Sequence, residues 1–252
     1  MNFYNDFDPN ACAWLEELVF QGLIPQGVVD NRSITDIDPD ELIHYTQCHF
    51  FCGIGGWPLA LQLAGWPEDK PVWTGSCPCQ PFSIGNVANG GGKGKSDDRH
   101  LWPVFRRLVA KQHPPIIFGE QVPNAIGKEW WDEVASELEE EDYACGSLVL
   151  PACVFGADHE RKRLFWGADS GRAGRQGHQP EQCLLVPADA AFTIPCDNFI
   201  GARNAIHGDY GDILPSNGVS LKLERDALKC YGNSIVPQVA AAFIQAFMTR
   251  DP

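Results

Sequence analysis

One cysteine stands where a catalytic nucleophile could act. Residues 75–83 read Gly-Ser-Cys-Pro-Cys-Gln-Pro-Phe-Ser and follow an apolar run at 71–73. The thiolate, rather than the thiol, is the nucleophile in cysteine chemistry, and a cysteine on a stiff exposed loop after a strand suits that role. On this segment alone two other interpretations stay open: Cys79 is a small buried hydrophobic residue, or Cys77 and Cys79 together bind a metal. The loop predicts Cys79 as a nucleophile, and the other segments decide between these interpretations.

Three further segments carry groups that could bind or polarise a ligand. Residues 51–56 read Phe-Cys-Gly-Ile-Gly-Gly, and a glycine turn between a strand and a helix lets the backbone approach a cofactor. Glu120 follows a strand predicted at 114–119 and could give a proton or a hydrogen bond to a base. Arg161 and Arg163 alternate on a predicted strand, where both guanidinium groups would point to one face and bind oxygen atoms. Each segment alone also fits an ordinary turn or a solvated surface.

Taken in order, these segments resemble the motifs of DNA cytosine-5 methyltransferases. The matching runs are Phe-x-Gly-x-Gly at 51–55, Pro-Cys-Gln-Pro-Phe-Ser at 78–83, Glu-Gln-Val at 120–122, Arg-x-Arg at 161–163 and Gly-Asn-Ser at 232–234. Three positions differ from the family's pattern: His49 replaces an aspartate, Gln121 an asparagine and His159 a glutamine. Several motifs in the family's order are far more specific than any one of them.

The resemblance implies transfer of a methyl group from S-adenosylmethionine to C5 of a cytosine flipped out of duplex DNA. Cys79 would add to C6 while Glu120 hydrogen-bonds N3, which makes C5 able to accept the methyl group. Arg161 and Arg163 would hold the cytosine O2 and adjacent phosphates. The predicted catalytic residues are therefore Cys79, Glu120, Arg161 and Arg163. The residues predicted to approach DNA are Gln80, Ser83, Arg99 and Gln121.

The resemblance also implies a cofactor site built from several segments. Around the glycine turn its residues are Phe51, Cys52, Gly53, Ile54, Gly55 and Gly56, joined by Pro78 from the cysteine loop and by Asn233 and Ser234 from the last motif. Residues 3–11 resemble the family's ribose-binding element, with Asp6 as its acid and Phe7 beside it. Residues 32–37 resemble the adenine-binding element, so Ser33 and Ile34 complete the predicted set.

The two elements for the ribose and the adenine precede the glycine turn here, whereas in the family they follow it. Only 22 positions separate Gly56 from Pro78, and a simple deletion would remove half of the cofactor site. We therefore predict a circular permutation, in which the second and third strands come first; such rearrangements are tolerated where termini lie close together. If the helix after Gly56 keeps its face, its link to the next strand is a left-handed crossover, which parallel sheets rarely make. Either the helix moves or the fold accepts that exception.

Short apolar strands alternate with helical patterns, which is typical of an α/β fold with a parallel sheet. The pattern predicts helices from Ala11 to Gln21, Leu59 to Ala64 and Trp130 to Glu141, and a short strand-like segment from Asn31 to Ile37. From residue 169 the periodicity is replaced by Gly, Pro, Asn and Asp. We expect a Rossmann-like, S-adenosylmethionine-dependent methyltransferase sheet formed by residues 1–168 and 229–252, with a small loop-rich target-recognition region at 169–228.

The charge of the chain is unusual for a protein that binds DNA. The net charge is -14, whereas neutralising phosphates normally requires a basic surface. Residues 1–45 carry nine acids and one base (-8), residues 129–142 carry eight acids and no base (-8), and the remainder sums to about +2. Both acidic runs fit solvated helix faces, which leaves the basic residues elsewhere, Arg106 and Arg107 among them, for one basic face.

Composition limits the location and the partners. No apolar run approaches the roughly 20 residues of a membrane span, and the N-terminus does not resemble a signal peptide. Ten cysteines in such a chain favour reduced thiols. We expect a cytoplasmic protein, for which a bacterium or its virus is a compatible source, acting as a monomer on duplex DNA without a metal or a membrane.

Two alternatives to DNA methylation stay open. The same chemistry could methylate cytosine in RNA. A non-catalytic acidic mimic of nucleic acid on the same scaffold is favoured by the charge, but it has no need of Cys79 and Glu120. Because the segment between Arg163 and Gly232 is short for the family, DNA methylation is expected at a short or relaxed target sequence.

Overall fold

Seven strands form one sheet, and helices cover both of its faces. The computed structural model describes residues 1–78, 101–123, 130–157, 160–172 and 234–249. The strands are β1 (Asn2–Asn5), β2 (Gly27–Asp30), β3 (Gln47–Phe50), β4 (Val72–Gly75), β5 (Ile116–Gln121), β6 (Ala144–Leu150) and β7 (Arg163–Asp169). The helices are α1 (Pro9–Phe20), α2 (Gly56–Ala64), α3 (Trp102–Gln112), α4 (Trp130–Glu139) and α5 (Pro237–Met248). Short 3₁₀ turns occupy Ile34–Asp36, Pro39–Leu42, Ala152–Phe155 and Ser170–Arg172.

The strand order in the sheet is β2-β1-β3-β4-β5-β7-β6. Strands β1 to β5 pair in parallel, and β7 lies antiparallel between β5 and β6. The α/β fold with a mainly parallel sheet is therefore confirmed. The division into a catalytic domain and a target-recognition region stays a prediction, because residues 173–233 lie outside the described part of the chain.

Helix ends follow local chemistry. Helix α1 begins at Pro9, and the side chain of Asp8 caps it by accepting a hydrogen bond from the Asn10 backbone N–H at 3.0 Å. Helix α2 begins directly after Gly55 and stops at Gly65, whose φ angles of 84° and 75° lie in the left-handed region that favours glycine. The three predicted helices are therefore present, with ends within a few residues of the predicted ones.

The strand predicted from Asn31 to Ile37 is wrong. The segment contains a 3₁₀ turn over Ile34–Asp36 instead. The Oγ atom of Ser33 caps this turn, accepting hydrogen bonds from the Thr35 backbone N–H at 3.4 Å and from the Thr35 hydroxyl at 2.7 Å. Such local bonds of serine and threonine compete with a strand ladder, which explains the turn.

Two hydrophobic clusters lie on opposite faces of the sheet. On one face, Trp57 and Leu61 of α2 and Phe243 of α5 pack on Phe118 and Phe165 of the sheet. Tyr4 belongs to the same face and contacts α1, because Tyr4, His49, Thr74 and Phe118 form one register row across β1, β3, β4 and β5. On the other face, α3, α4 and two 3₁₀ turns pack on the neighbouring row, which consists of Phe3, Cys48, Trp73 and Ile117.

One crossover differs in hand from the others. The connection β4-α3-β5 moves toward β7 on the α3 and α4 face, whereas β3-α2-β4 moves the same way on the opposite face. Comparing direction and face in the same way gives the hand of the other crossovers. The hand of β4-α3-β5 is shared by β1-α1-β2, β2-β3 and β5-α4-β6. About 98% of such crossovers are right-handed, so the α2 connection is the left-handed one. The sequence analysis predicted this hand for the case in which the helix after Gly56 keeps its face. The helix keeps its place beside α5, and the fold accepts the unfavourable hand.

His49, which replaces an acid of the family pattern, is a core residue. Its ring is fully buried and stacks on Tyr4 at 5.2 Å, and Nδ1 lies 2.9 Å from the Thr74 hydroxyl. Burial lowers the pKa of His49 to about 3, because the charged imidazolium is disfavoured away from water. His49 is therefore neutral and packs the strand row beneath the glycine turn.

The acidic runs are partly neutralised within the fold. Arg106 of α3 forms ion pairs with Glu137, Glu140 and Glu141 at 3.0 to 3.5 Å, and Arg32 pairs with two acids of the N-terminal segment. The Arg107 guanidinium donates to the Ile37 carbonyl oxygen at 3.1 Å. Arg106 and Arg107 are thus occupied within the fold, contrary to the expectation that they contribute to a basic face.

No helix in the described ranges is both long and apolar enough to cross a membrane.

Candidate active site

The parallel strands bring the predicted groups to one edge of the sheet. Strands β1, β3, β4 and β5 all point their carboxyl ends the same way. Asp6 follows β1, the glycine turn follows β3, residues 76–78 follow β4, and Glu120 lies near the end of β5. Ligands of open α/β sheets bind at this edge, so the topology places the candidate groups where such a site belongs.

Asp6 and the glycine turn are in direct contact. The Gly53 backbone N–H donates to Oδ2 of Asp6 at 2.7 Å, and the Cys52 backbone N–H donates to the carbonyl oxygen of Asn5 at 3.0 Å. The other carboxylate oxygen, Oδ1, accepts from the Asp8 backbone N–H at 2.9 Å. A carboxylate has about four lone-pair sites, so Asp6 retains acceptors for a ligand hydroxyl.

The glycine turn is open at one position and closed at another. A Cβ atom added to Gly53 would meet nothing within 4 Å, and its φ angle of 56° is left-handed. A Cβ atom on Gly56 would lie 2.6 Å from a side-chain carbon of Ile235, just before α5. The turn therefore presents bare backbone on one side and packs on the segment before α5 on the other, as a cofactor cradle requires.

The remaining residues predicted to bind the cofactor fall into different environments. Phe7, next to Asp6, is 75% exposed and leaves an aromatic ring available for a ligand. Ile34 and Cys52 are buried in the hydrophobic clusters, so their side chains belong to the core, and only their backbone can line a site. Ser33 caps its own 3₁₀ turn. The partly buried positions are Phe51, Ile54, Pro78 and Ser234, and Asn233 lies outside the described residues.

Glu120 and Arg163 form an ion pair at the edge. The Nε atom of Arg163 lies 2.7 Å from Oε1 of Glu120, whose side chain is only 12% exposed. Burial raises the pKa of Glu120 to about 7, although the charges of Arg163 and Arg161 act in the opposite direction. A glutamate poised near neutral pH can both hold and release a proton, which is the property of a general acid.

Arg161 and Arg163 do not share one strand, contrary to the prediction. β7 begins at Arg163, and Arg161 lies before it with a left-handed φ angle of 27°. The Nη2 group of Arg161 donates to the carbonyl oxygen of Ser234 at 2.6 Å. The Arg161 side chain thus links the segment before β7 to the segment before α5, and its charge acts on Glu120.

Gln121 is buried and contacts the stem of the cysteine loop. Its Nε2 group donates to the carbonyl oxygen of Cys77 at 3.3 Å, and its Oε1 atom accepts from the Val122 backbone N–H at 2.9 Å. The side chain is only 2% exposed. Contact between Gln121 and DNA stays a prediction. The longer side chain in place of asparagine still reaches the loop stem.

Cys77 cannot be the reactive thiol of the Cys-x-Cys pair. It is buried against α3, and burial raises the pKa of its thiol well above the usual range. Within the described ranges, no three His, Cys, Asp or Glu side chains cluster as metal ligands. Cys79, Gln80, Ser83, Arg99 and His159 lie outside those ranges, so their placement is not part of this geometry.

Two residues at the site were missed by the sequence analysis. The Nε1 group of Trp57 in α2 donates to Oγ of Ser76 at 2.9 Å, so the helix after the glycine turn touches the stem of the cysteine loop. Trp57 reads as an ordinary core residue in an apolar helix, and Ser76 as a loop residue. No periodicity indicates that the two meet, because the contact joins two crossovers of the sheet.

The fold and the site define a Rossmann-like α/β protein with a glycine turn and a strand-end acid at the carboxyl edge. Residues 66–174 match the family model described as C-5 cytosine-specific DNA methylase. The matched segment contains the cysteine loop, Glu120, Arg161 and Arg163. Over these 109 of its 252 residues, the chain is similar to that family.

Two curated proteins are similar to less than half of the chain. Type II methyltransferase M.AplI of Arthrospira platensis is 32% identical over 109 residues, which is 42% of this chain and 30% of that protein. Type II methyltransferase M.CviJI of Paramecium bursaria Chlorella virus IL3A is 27% identical over 119 residues, 47% of this chain and 30% of that protein. The matches thus span less than a third of these relatives. A solved structure of DNMT2 from Spodoptera frugiperda has 14% identity and a TM-score of 0.45, covering 72% of this chain and 46% of that chain.

Proposed function

We propose that this protein transfers a methyl group from S-adenosylmethionine to C5 of cytosine in DNA. The observation that carries this proposal is the largely buried Glu120, whose Oε1 atom lies 2.7 Å from Nε of Arg163 and whose pKa is raised to about 7. Pyrimidine C6 is a poor electrophile until N3 is protonated or hydrogen-bonded, and a carboxyl that keeps its proton near neutral pH meets that need.

The chain's residues divide the chemistry between them. Cys79 adds its sulfur to C6 while Glu120 gives its proton to N3, and the electron pair of the C5–C6 bond becomes available at C5. S-adenosylmethionine supplies the methyl group that C5 takes up. Loss of the C5 proton to a base then re-forms the C5–C6 double bond, breaks the sulfur–C6 bond, and returns the N3 proton to Glu120. Arg163 stabilises the carboxylate of Glu120 in the intervening state.

The cofactor fits the residues at the carboxyl edge of β1 and β3. Gly53 offers open backbone, and Asp6 has free acceptor sites for the ribose hydroxyl groups. Phe7 provides an exposed ring beside Asp6 for the adenine. We assign Asp6, Phe7 and the glycine turn to the adenosine half of the cofactor, and the turn before α5 to its methionine half.

Duplex DNA is the substrate to test, with RNA as its rival. Purified protein, tritium-labelled S-adenosylmethionine and equal amounts of duplex DNA or transfer RNA should label DNA alone. Bisulfite sequencing of that DNA should place 5-methylcytosine in a short or relaxed sequence context, because the target-recognition segment is short. Label in RNA alone would establish the RNA alternative, label in neither would favour the non-catalytic mimic, and a strict site of six base pairs would contradict relaxed specificity.

We also propose that the cofactor half is circularly permuted. The strand order β2-β1-β3-β4 supports it, because the two N-terminal strands lie outside the glycine-bearing strand β3. The hand of the α2 crossover supports it further. If residues 1–46 followed α2 in the chain, the α2 helix would connect β3 to β1. This crossover would run toward β2 on the face that α2 and α1 share, as the β1-α1-β2 crossover does. That connection would have the hand of the other crossovers.

A chain in which residues 1–46 are moved to follow α2 tests this proposal. The Gln47 side chain bonds both Asn2 (3.3 Å) and the Pro67 carbonyl (3.3 Å), and the Val72 N–H bonds the Thr46 carbonyl (3.4 Å). Short glycine-serine linkers can therefore join residues 47–68 to 1–46, and 1–46 to 71–252. We expect this chain to bind S-adenosylmethionine within about threefold of the native affinity, because every strand keeps its neighbours.

Calorimetry measures that affinity, and circular dichroism checks the fold. A control chain in which residues 1–46 are instead appended after residue 252 leaves α2 joined to β4 as in the native order. A reordered chain that folds but does not bind the cofactor would contradict the permutation.

A further inference from the structure

Two side chains from opposite sides of the active site hold the stem of the cysteine loop. Trp57 of α2 donates to Oγ of Ser76 at 2.9 Å, and Gln121 of β5 donates to the carbonyl oxygen of Cys77 at 3.3 Å. One donor lies in the helix that begins at the glycine turn, and the other follows Glu120 directly in sequence. The stem is thus bonded both to the cofactor side of the site and to its acid side.

The Trp57 ring is held rigidly enough to act as an anchor. It is 2% exposed, stacks on Phe118 at 6.3 Å and packs edge-on against Phe165 at 6.2 Å. Phe165 is the cross-strand neighbour of Glu120 in the β5–β7 pair. The indole therefore has a fixed position relative to the acid, and its hydrogen bond transfers that position to Ser76.

Ser76 and Cys77 lie close to Cys79, the proposed nucleophile, in the sequence. Two peptide units separate Cys77 from Cys79, a reach of at most about 7.6 Å between their Cα atoms. Pro78, between them, fixes its own φ angle and restricts the residue before it. The tethered residue Ser76 therefore lies three positions before the proposed nucleophile, with Pro78 between them.

We propose that Trp57 and Ser76 are positioning residues for the nucleophile, which set the distance of Cys79 from the base by fixing the loop stem from the cofactor side. The inference rests on the proposed function and adds a requirement to it. Nucleophilic attack needs the reacting atoms about 3 to 3.5 Å apart, and a misplacement of 1 Å can cost about 100-fold in rate. The tether therefore acts on the chemical step and not on cofactor affinity.

Trp57→Phe tests the tether, because it keeps a large aromatic ring and removes the indole N–H. We expect kcat for methyl transfer to fall about 10- to 100-fold, with the dissociation constant of S-adenosylmethionine changed less than about threefold. Ser76→Ala should cause a similar loss, and Ser76→Thr, which keeps the hydroxyl, should recover most of the rate. The double variant Trp57→Phe/Ser76→Ala should be no slower than the worse single variant.

The matched control is Trp66→Phe. Trp66 is also buried and follows the same crossover helix, and its Nε1 group donates to the Lys70 carbonyl oxygen at 3.1 Å, away from the loop stem. This variant loses an indole hydrogen bond without touching Ser76, so its kcat should equal that of the native protein. Chemical unfolding of both variants shows whether their stabilities are comparable.

The outcomes separate this inference from the proposed function. If the native protein transfers no methyl group to DNA or RNA, the proposed function fails. If the native protein is active and Trp57→Phe keeps native kcat, the tether is refuted. If Trp57→Phe and Trp66→Phe lose the same fraction of kcat, or if the loss appears only in cofactor affinity, the role of Trp57 is general packing and the tether is also refuted.

Discussion

Replacing Cys79 by alanine is expected to lower methyl transfer by about 10⁴-fold or more, because removal of a covalent nucleophile leaves only binding and electrostatic contributions. The expected loss lies in kcat, measured by incorporation of label from S-adenosylmethionine into DNA. Affinity for the cofactor should stay within about threefold of native. The proposed cofactor contacts at Asp6 and Gly53 do not involve the Cys79 thiol.

A second measurement detects the covalent step itself. DNA in which the target cytosine carries fluorine at C5 cannot lose a proton there, so the sulfur–C6 bond persists after methyl transfer. The native protein should therefore form a complex with this DNA that survives denaturing electrophoresis, and Cys79→Ala should form none. Normal turnover by Cys79→Ala would refute the assignment of the nucleophile.

Two other cysteines are the controls for this experiment. Cys153 is an exposed free thiol in a 3₁₀ turn, so Cys153→Ala should keep full activity. Cys77 is buried, and burial raises the pKa of its thiol well above neutral pH. Cys77 therefore stays protonated and unreactive, and a reagent that modifies thiolates should spare it in the folded protein.

The sequence was sufficient to predict the class of fold and the place of two candidate groups in it. Motif order placed Glu120 at the end of a strand, and the resemblance of residues 3–11 to a ribose-binding element brought Asp6 to the glycine turn. Helix α1 was predictable because Asp8 and Pro9 form a strong local start signal. These features depend on local chemistry or on motif spacing, which a sequence displays directly.

Contacts between distant crossovers could not be predicted. The bond from Trp57 to Ser76 and the bond from Arg161 to Ser234 each join segments that no period or motif relates. Gln121 was predicted to approach DNA from its place in the Glu-Gln-Val motif, and its burial could not be predicted, although alternation along β5 turns its side chain into the core beneath the loop. The direction of a side chain at the end of a strand depends on the register of the strand. A shift of one residue turns the side chain to the other face.

The bounds of the two edge strands were not predicted. β2 has four residues and lies at one edge of the sheet, and β6 at the other edge is half-buried along most of its length. Such strands show neither the continuous apolar run of a central parallel strand nor a clean alternation. Their sequences resemble loops for this reason.

Replacing Glu120 by glutamine is expected to lower kcat about 10²- to 10⁴-fold, the usual contribution of a general acid, with little change in cofactor affinity. Glutamine keeps the shape and can donate a hydrogen bond to N3, but it has no proton to give. Because burial raises the pKa of Glu120 to about 7, the native rate should fall as pH rises through 7 and the protonated fraction declines. The Glu120→Gln rate should lack that decline.

Arg163→Met provides an independent check on the cause of the pKa. Arg163 lowers the pKa of Glu120, so its removal should raise that pKa further and move the falling limb to higher pH. Arg163→Lys keeps the charge and should shift the limb less. A falling limb that persists unchanged in Glu120→Gln would assign the titration to another group.

The raised pKa of Glu120 also predicts how the free energy of unfolding depends on pH. Folded Glu120 keeps its proton to about pH 7, whereas an ordinary glutamate loses it near 4.5, so the folded state binds more protons between these values. The free energy of unfolding of the native protein should therefore decrease from about pH 4.5 to 7, relative to Glu120→Gln. Urea unfolding of both proteins across this range measures the difference. A relative increase with pH would mean that the ion pair with Arg163 outweighs burial, and Glu120 would then enter the reaction as a carboxylate that can accept a hydrogen bond but cannot protonate N3.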